Sequence, residues 1–161
     1  MTLKVLMLHG INHNMFGKRD PKQYGTITLA QIDKQLKALG KELGAQVESF
    51  QTNHEGAMAE RIHQAYAEGK DAVLINAGAW THYSYGIRDA LAVLTCPVVE
   101  LHMSNIHARE PFRRSGLSCP KAAPGGRSGL SAAPAAVPWC APSRSWCASR
   151  TAARQRRRGR G

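Results

Sequence analysis

The chain has 161 residues, 43% hydrophobic and 20% charged, with a formal net charge of +11; this suits one soluble domain with a real core and excludes a fibrous or wholly disordered chain. The charge excess sits at one end: residues 1–112 hold 11 Lys+Arg against 11 Asp+Glu, and from Arg113 onward there are 11 Lys+Arg and no acid. No run is long enough to span a bilayer, and the apolar stretch of MTLKVLMLHG is too short for a secretory core.

A cytoplasmic, reducing location is therefore expected, and Cys96, Cys119, Cys140 and Cys147 read as free thiols whose spacing fits no zinc site. In chain order, LKVLML (3–8) reads as a first strand. The stretch LHGINHNMFGKRDPKQYG (8–25) follows. It reads as a loop of about fifteen residues without secondary-structure signal, a length that compact folds keep for lids and binding loops. Leu29, Ile32, Leu36, Leu39 and Leu43 step by three or four, predicting a helix from about Thr28 to Leu43 closed by Gly44. QVESF (46–50) is a second strand; Met58, Ile62, Ala65 and Tyr66 mark a second helix, with Asn53 as N-cap and Gly69 after it. AVLINA (72–77) is a third strand, Ile87, Leu91 and Leu94 a third helix ending before Pro97, and PVVELHM (97–103) a fourth strand.

Alternation of strands and helices at this spacing predicts an α/β fold with a parallel sheet, right-handed crossovers and helices on its faces. Ligands of such sheets bind outside the carboxyl ends of the strands. Here those ends lead into HGIN, QTNHEG, NAGAWTHYS and LHMSNIHAR, each carrying His or Asn. Any one such histidine is more often simply packed or exposed, but four strand ends converging on one edge point to a polar small-molecule site.

Within that site, Tyr24 is a poor base at its ordinary pKa of about 10, and a neighbouring guanidinium such as Arg19 favours its phenolate. The alternative is that Tyr24 packs at the head of the first helix. His102 and His82 suit acid or base work, or the binding of hydroxyl and carboxylate oxygens. Glu100 can orient an imidazole, and Asp89 can meet a substrate hydroxyl or anchor its loop. Arg113 suits bidentate binding of a carboxylate, and Ser104 with Asn105 precedes a helix whose amides favour anions. The set fits a small anionic polyol and needs no metal or nucleotide. The chain has no GxSxG elbow, GxGxxG or P-loop. His9 and His13 are four apart but straddle Gly10 in a loop, which argues against a metal pair on a helix face.

The blocks GINHNMFGKRDPKQYGTITL, FQTNHEG, VLINAGAWTHYSYGIRDAL and PVVELHMSNIHAREPFR cover essentially all of residues 3–113. In order and spacing they resemble the type II dehydroquinases. The resemblance implies a flavodoxin-like, doubly wound parallel sheet and a cofactor-free dehydration of 3-dehydroquinate to 3-dehydroshikimate in the shikimate pathway. By motif, Tyr24 is then the base, Arg19 its activator, His102 the acid with Glu100 orienting it, and Asn12 the holder of a water at the enolate oxygen. Substrate contacts fall on Asn76, His82, Asp89, Met103, Ser104 and Arg113. A homododecamer is implied, with no membrane partner.

The pattern departs in HGIN, where many members carry NGPN, and again after Arg113. There the family continues with an HHS segment, a fifth strand and a closing helix, none of which is found. Residues 114–161, rich in Pro, Ala, Ser and Arg, read instead as a disordered basic tail replacing that strand and helix. The coincidence of the two breaks points to a shifted reading frame or gene boundary. Two other readings follow: an inactive truncated remnant of the enzyme, or a flavodoxin-like binding module with a basic arm for anions. Nucleic acid is the weaker partner, because any Arg-rich tail ends like RQRRRGR.

Overall fold

The computed structural model describes residues 2–104 and 110–111. Four strands, β1 (Leu3–His9), β2 (Ala45–Gln51), β3 (Ala72–Asn76) and β4 (Val98–Glu100), form one sheet in the order β2-β1-β3-β4 with every pairing parallel. The strand order reverses direction at β1, so the β1/β3 junction is the switch point where such sheets bind ligands. The register sets His9 beside Gln51 on one side and Asn76 on the other, so three polar residues close the carboxyl edge together.

The helices are α1 (Pro21–Tyr24), α2 (Leu29–Glu42), α3 (Glu55–Ala67) and α4 (Tyr85–Ala92). In β1, Leu6 and Leu8 point to one face and Met7 to the other, the period of two expected of a strand. Leu6 and Leu8 pack with Met58 and Ile62 of α3, Ile87 and Leu91 of α4, and Val73 and Ile75 of β3. Met7 packs with Ile32 and Leu36 of α2 and with Phe16. Helices therefore cover both faces, as the alternation predicts.

The start of α2 is fixed by a capping box. Thr28 Oγ1 accepts from the Gln31 N–H, and Gln31 Oε1 accepts from the Thr28 N–H at 2.8 Å. Arg61, 5% exposed on α3, donates to Glu48 of β2 at 2.7 Å and to Glu68 at 3.2 Å, which ties α3 to the edge strand.

Several details differ from expectation. The 8–25 stretch is not featureless: it holds a 3-10 helix at His13–Met15 as well as α1. The N-cap of α3 is His54, without a side-chain cap bond, because the Asn53 side chain bonds elsewhere. Tyr66 is 53% exposed, since it lies at the margin of the Met58-Ile62-Ala65 stripe and its ring reaches water. Leu43 is the exposed C-cap of α2, where the chain turns into Gly44 at φ 70°. The fourth strand stops at Glu100, leaving His102 and Met103 in the loop beyond it. Cys96 is half-buried against the α3/α4 cluster; the other three cysteines and the whole 114–161 segment lie outside the described residues.

Candidate active site

The chain leaves β1 through Gly10. A Cβ there would stand 2.3 Å from the Ala77 carbonyl oxygen, so the exits of β1 and β3 meet at a distance only glycine permits. The Gly10 N–H donates to the Asn76 carbonyl at 2.8 Å, and the Thr52 N–H donates to the His9 carbonyl at 3.2 Å. These bonds lace three strand ends together. Asn12 follows in a left-handed conformation, φ 66° and ψ 10°, the only non-glycine residue with positive φ among the described residues. Asn is one of the few side chains that tolerate it.

The lid forms next. Asp20 caps α1 by accepting from the Lys22 N–H at 2.9 Å, and Pro21 supplies the fixed φ suited to a first helical position. This single turn brings Tyr24 back under Arg19, whose guanidinium carbon lies 3.8 Å from the ring centroid. Tyr24 also packs against the Met7, Phe16, Ile32 and Leu36 cluster, as does Met103 from beyond β4. The two alternatives for Tyr24 are therefore compatible: it meets Arg19 and it packs at the head of α2.

Across the site, Glu100 and His102 are both buried, and Glu100 Oε1 accepts from His102 Nε2 at 2.9 Å. A carboxylate in this position orients the ring. Asn76, also buried, accepts at Oδ1 from the Gly78 N–H at 3.3 Å. His82 is half-buried and closes the 3-10 helix Gly78–His82; Ser104 is half-buried just past Met103. Asp89 is exposed on α4 and makes no hydrogen bond or ion pair among the described residues. Asn105 and Arg113 lie outside the described residues.

Two further histidines, His9 at the end of β1 and His13 beyond it, are buried. His9 is 2% exposed and its Nε2 lies 2.9 Å from Asp33 Oδ1 of α2. Burial nevertheless outweighs the pull of Asp33, and the His9 pKa falls below its ordinary value. His13 is 3% exposed, edge-on to His9 and stacked on Phe16 with ring centroids 4.7 Å apart. Its Nδ1 is buried and has no hydrogen-bond partner among the described residues. Burial, reinforced by the charges of His9, Arg19 and His102, pushes its pKa down to about 3.

A stability prediction follows from that value. The unfolded chain takes up a proton on His13 near pH 6.5, whereas the folded chain resists it down to about pH 3. Stability is thus full above about pH 6.5 and drains away as pH falls toward 3, at about 1.4 kcal/mol per unit of separation between the two pKa values. His13→Leu should show a shallower loss of Tm between pH 7 and pH 4 in otherwise identical melts. Parallel curves would mean that His13 is not held neutral by the fold.

A family model described as "Dehydroquinase class II" matches residues 3–133, past the Arg113 at which the quoted blocks end. The chain belongs to the class II dehydroquinase family. The 3-dehydroquinate dehydratase of Leptothrix cholodnii is 79% identical over 115 residues, covering 71% of this chain and 77% of that protein. That of Pelobacter propionicus is 70% identical over 114 residues, covering 71% and 76%. Among solved structures, the type II dehydroquinase from Butyrivibrio crossotus superimposes with a TM-score of 0.74 at 36% identity, over 81% of this chain and 88% of that one. The type II dehydroquinase from Propionibacterium acnes gives 0.71 at 42%, over 73% and 81%. The flavodoxin-like α/β architecture expected from the sequence is the architecture of this family member.

Three residues packed around the side chains described above carry no local signal in the sequence: His13 reads as one of two loop histidines, Asp33 lies between the apolar positions of α2, and Asn53 reads as a cap. Asp33 adjoins Ile32 and so can reach the sheet edge, but no spacing rule links a helix position to a histidine 24 residues earlier.

Proposed function

We propose that this class II dehydroquinase is a lyase that removes water from 3-dehydroquinate to give 3-dehydroshikimate, without a cofactor, in the shikimate pathway. Tyr24, as phenolate, takes the proton from the carbon next to the ketone, and the C–H electron pair moves onto the carbonyl oxygen as an enolate. Arg19 stabilises the phenolate and the charge that develops, while Asn12 holds a water against the enolate oxygen. When the enolate collapses, the carbonyl re-forms, the new C=C bond takes shape, and the C–O bond to the hydroxyl breaks. The departing oxygen takes its proton from His102, which Glu100 orients. Asn76, His82, Asp89, Met103, Ser104 and Arg113 hold the substrate.

The observation that carries this reading is the contact of Arg19 with Tyr24, 3.8 Å from guanidinium carbon to ring centroid, in a chain of this family. The curated relatives named 3-dehydroquinate dehydratase support the same substrate. The test is to add 3-dehydroquinate to the purified chain and follow the ultraviolet absorbance of the conjugated enone product. Growth of that absorbance is expected; a folded chain that produces none excludes the proposal.

Glu100→Gln provides a second check. The amide fills the same space but offers the ring a neutral partner in place of the carboxylate that orients it, and kcat should fall about 10²-fold, the scale of a misplaced catalytic group. Unchanged kcat would remove Glu100 from the mechanism. On the same reading the chain acts in the cytoplasm as a homododecamer built from the 1–113 core, with residues 114–161 a separate basic tail. No helix among the described residues is long and apolar enough to cross a membrane. Sedimentation of the full chain measures the assembly.

A further inference from the structure

Asn12 and Tyr24 enter the mechanism from the same loop, yet the backbone of that loop is held from a different strand. Asn53, just past β2, accepts at Oδ1 from the Asn12 N–H at 2.9 Å and from Gln51 Nε2 at 3.1 Å. Its Nδ2 donates to Asn14 Oδ1 at 3.2 Å. Gln51 Nε2 in turn reaches the Gly10 carbonyl at 3.4 Å. A single amide therefore grips both flanks of the left-handed Asn12 turn, and it uses its acceptor and its donor at once.

We propose that Asn53 is a positioning residue for the dehydration, locking the Asn12 peptide in its left-handed conformation so that the Asn12 side chain meets the developing enolate. The inference rests on the role given to Asn12 above. Asn tolerates the left-handed region, but a single such residue is fixed there by its surroundings. No other described hydrogen bond takes the Asn12 N–H, so the restraint on that peptide is concentrated in Asn53 Oδ1. Because Asn12 serves the enolate, which forms only as the reaction proceeds, a loosened Asn12 weakens the transition state more than the bound substrate.

The variants follow from the two ends of the amide. Asn53→Ala removes every bond and should lower kcat about tenfold, with KM changed less than about twofold. Asn53→Asp keeps an oxygen for the Asn12 and Gln51 donors and should recover most of that loss. Asn12→Ala lowers kcat by itself, and the double variant Asn12→Ala/Asn53→Ala should be no slower than Asn12→Ala, since both remove one function. A purely structural role would add the two losses instead, and that additivity, or an Asn53→Ala enzyme with unaltered kcat, overturns the proposal.

The reading on which it rests fails separately. If Asn12→Ala leaves kcat unchanged, or the unsubstituted chain has no activity, the assignment of Asn12 is wrong. The positional claim is then judged by amide hydrogen exchange of Asn12 in the full chain: protection lost in Asn53→Ala and kept in Asn53→Asp supports the lock, and equal exchange in all three chains refutes it.

Discussion

Tyr24→Phe is expected to lower kcat by about 10³-fold while the protein melts where it did before. The substitution removes one oxygen and leaves the ring, so the packing against Met7, Phe16, Ile32 and Leu36 and the Arg19 face contact both persist. What disappears is the oxygen proposed to take the proton. General-base contributions of 10²–10⁴ in rate are typical, about 3–5 kcal/mol of barrier. KM should move little, because the phenol is half-buried in protein contacts and the lost interaction belongs to the transition state. A variant that keeps more than about a tenth of the activity would exclude Tyr24 as the base.

Gly10→Ala is the largest structural effect expected. The added methyl would lie 2.3 Å from the Ala77 oxygen, 2.6 Å from its carbonyl carbon and 2.9 Å from its Cα, all backbone atoms that no rotamer change can move aside. The exits of β1 and β3 must part, which also breaks the Gly10–Asn76 bond between them. Overpacking on this scale costs about 3 kcal/mol or more, a fall in Tm of roughly 10 °C for a domain of this size. Turnover should fall with it, since Asn76 and Asn12 sit on either side of the strained junction. Gly56→Ala is the natural control: a Cβ there meets nothing within 4 Å, and alanine favours a helix. If Gly10→Ala melts no lower than Gly56→Ala, the close approach at Gly10 is not real.

The parts of this fold that follow a local rule were legible in the sequence. The i, i+3, i+4 stripe of Ile32 and Leu36, the glycine after α2 and the apolar strands each signal themselves within a short window. Tyr24 with Arg19 and His102 with Glu100 were also within reach, because each pair is only two to five residues apart and falls at a strand end or in one loop. What could not be read is long-range. His9 finds Asp33, and Asn12 finds Asn53, only after β1, α2 and β2 have assembled. Asn53 shows why the local rule misled: a side chain able to cap α3 was taken instead by the loop of another strand.

The two faces of the sheet are unequally filled. Among the described residues, twelve buried apolar side chains lie on the α3/α4 side and four on the α2 side. Local opening is easiest where fewest buried contacts must break, and Tyr24 rests on the thinner layer. Substitutions that harden the α3/α4 side should therefore slow global unfolding without touching turnover, whereas those that harden the α2 side, where Tyr24 packs, should also change turnover. The larger share of the buried core lies in one half and the proposed base rests on the other, so thermal endurance and catalytic tempo should be tunable separately.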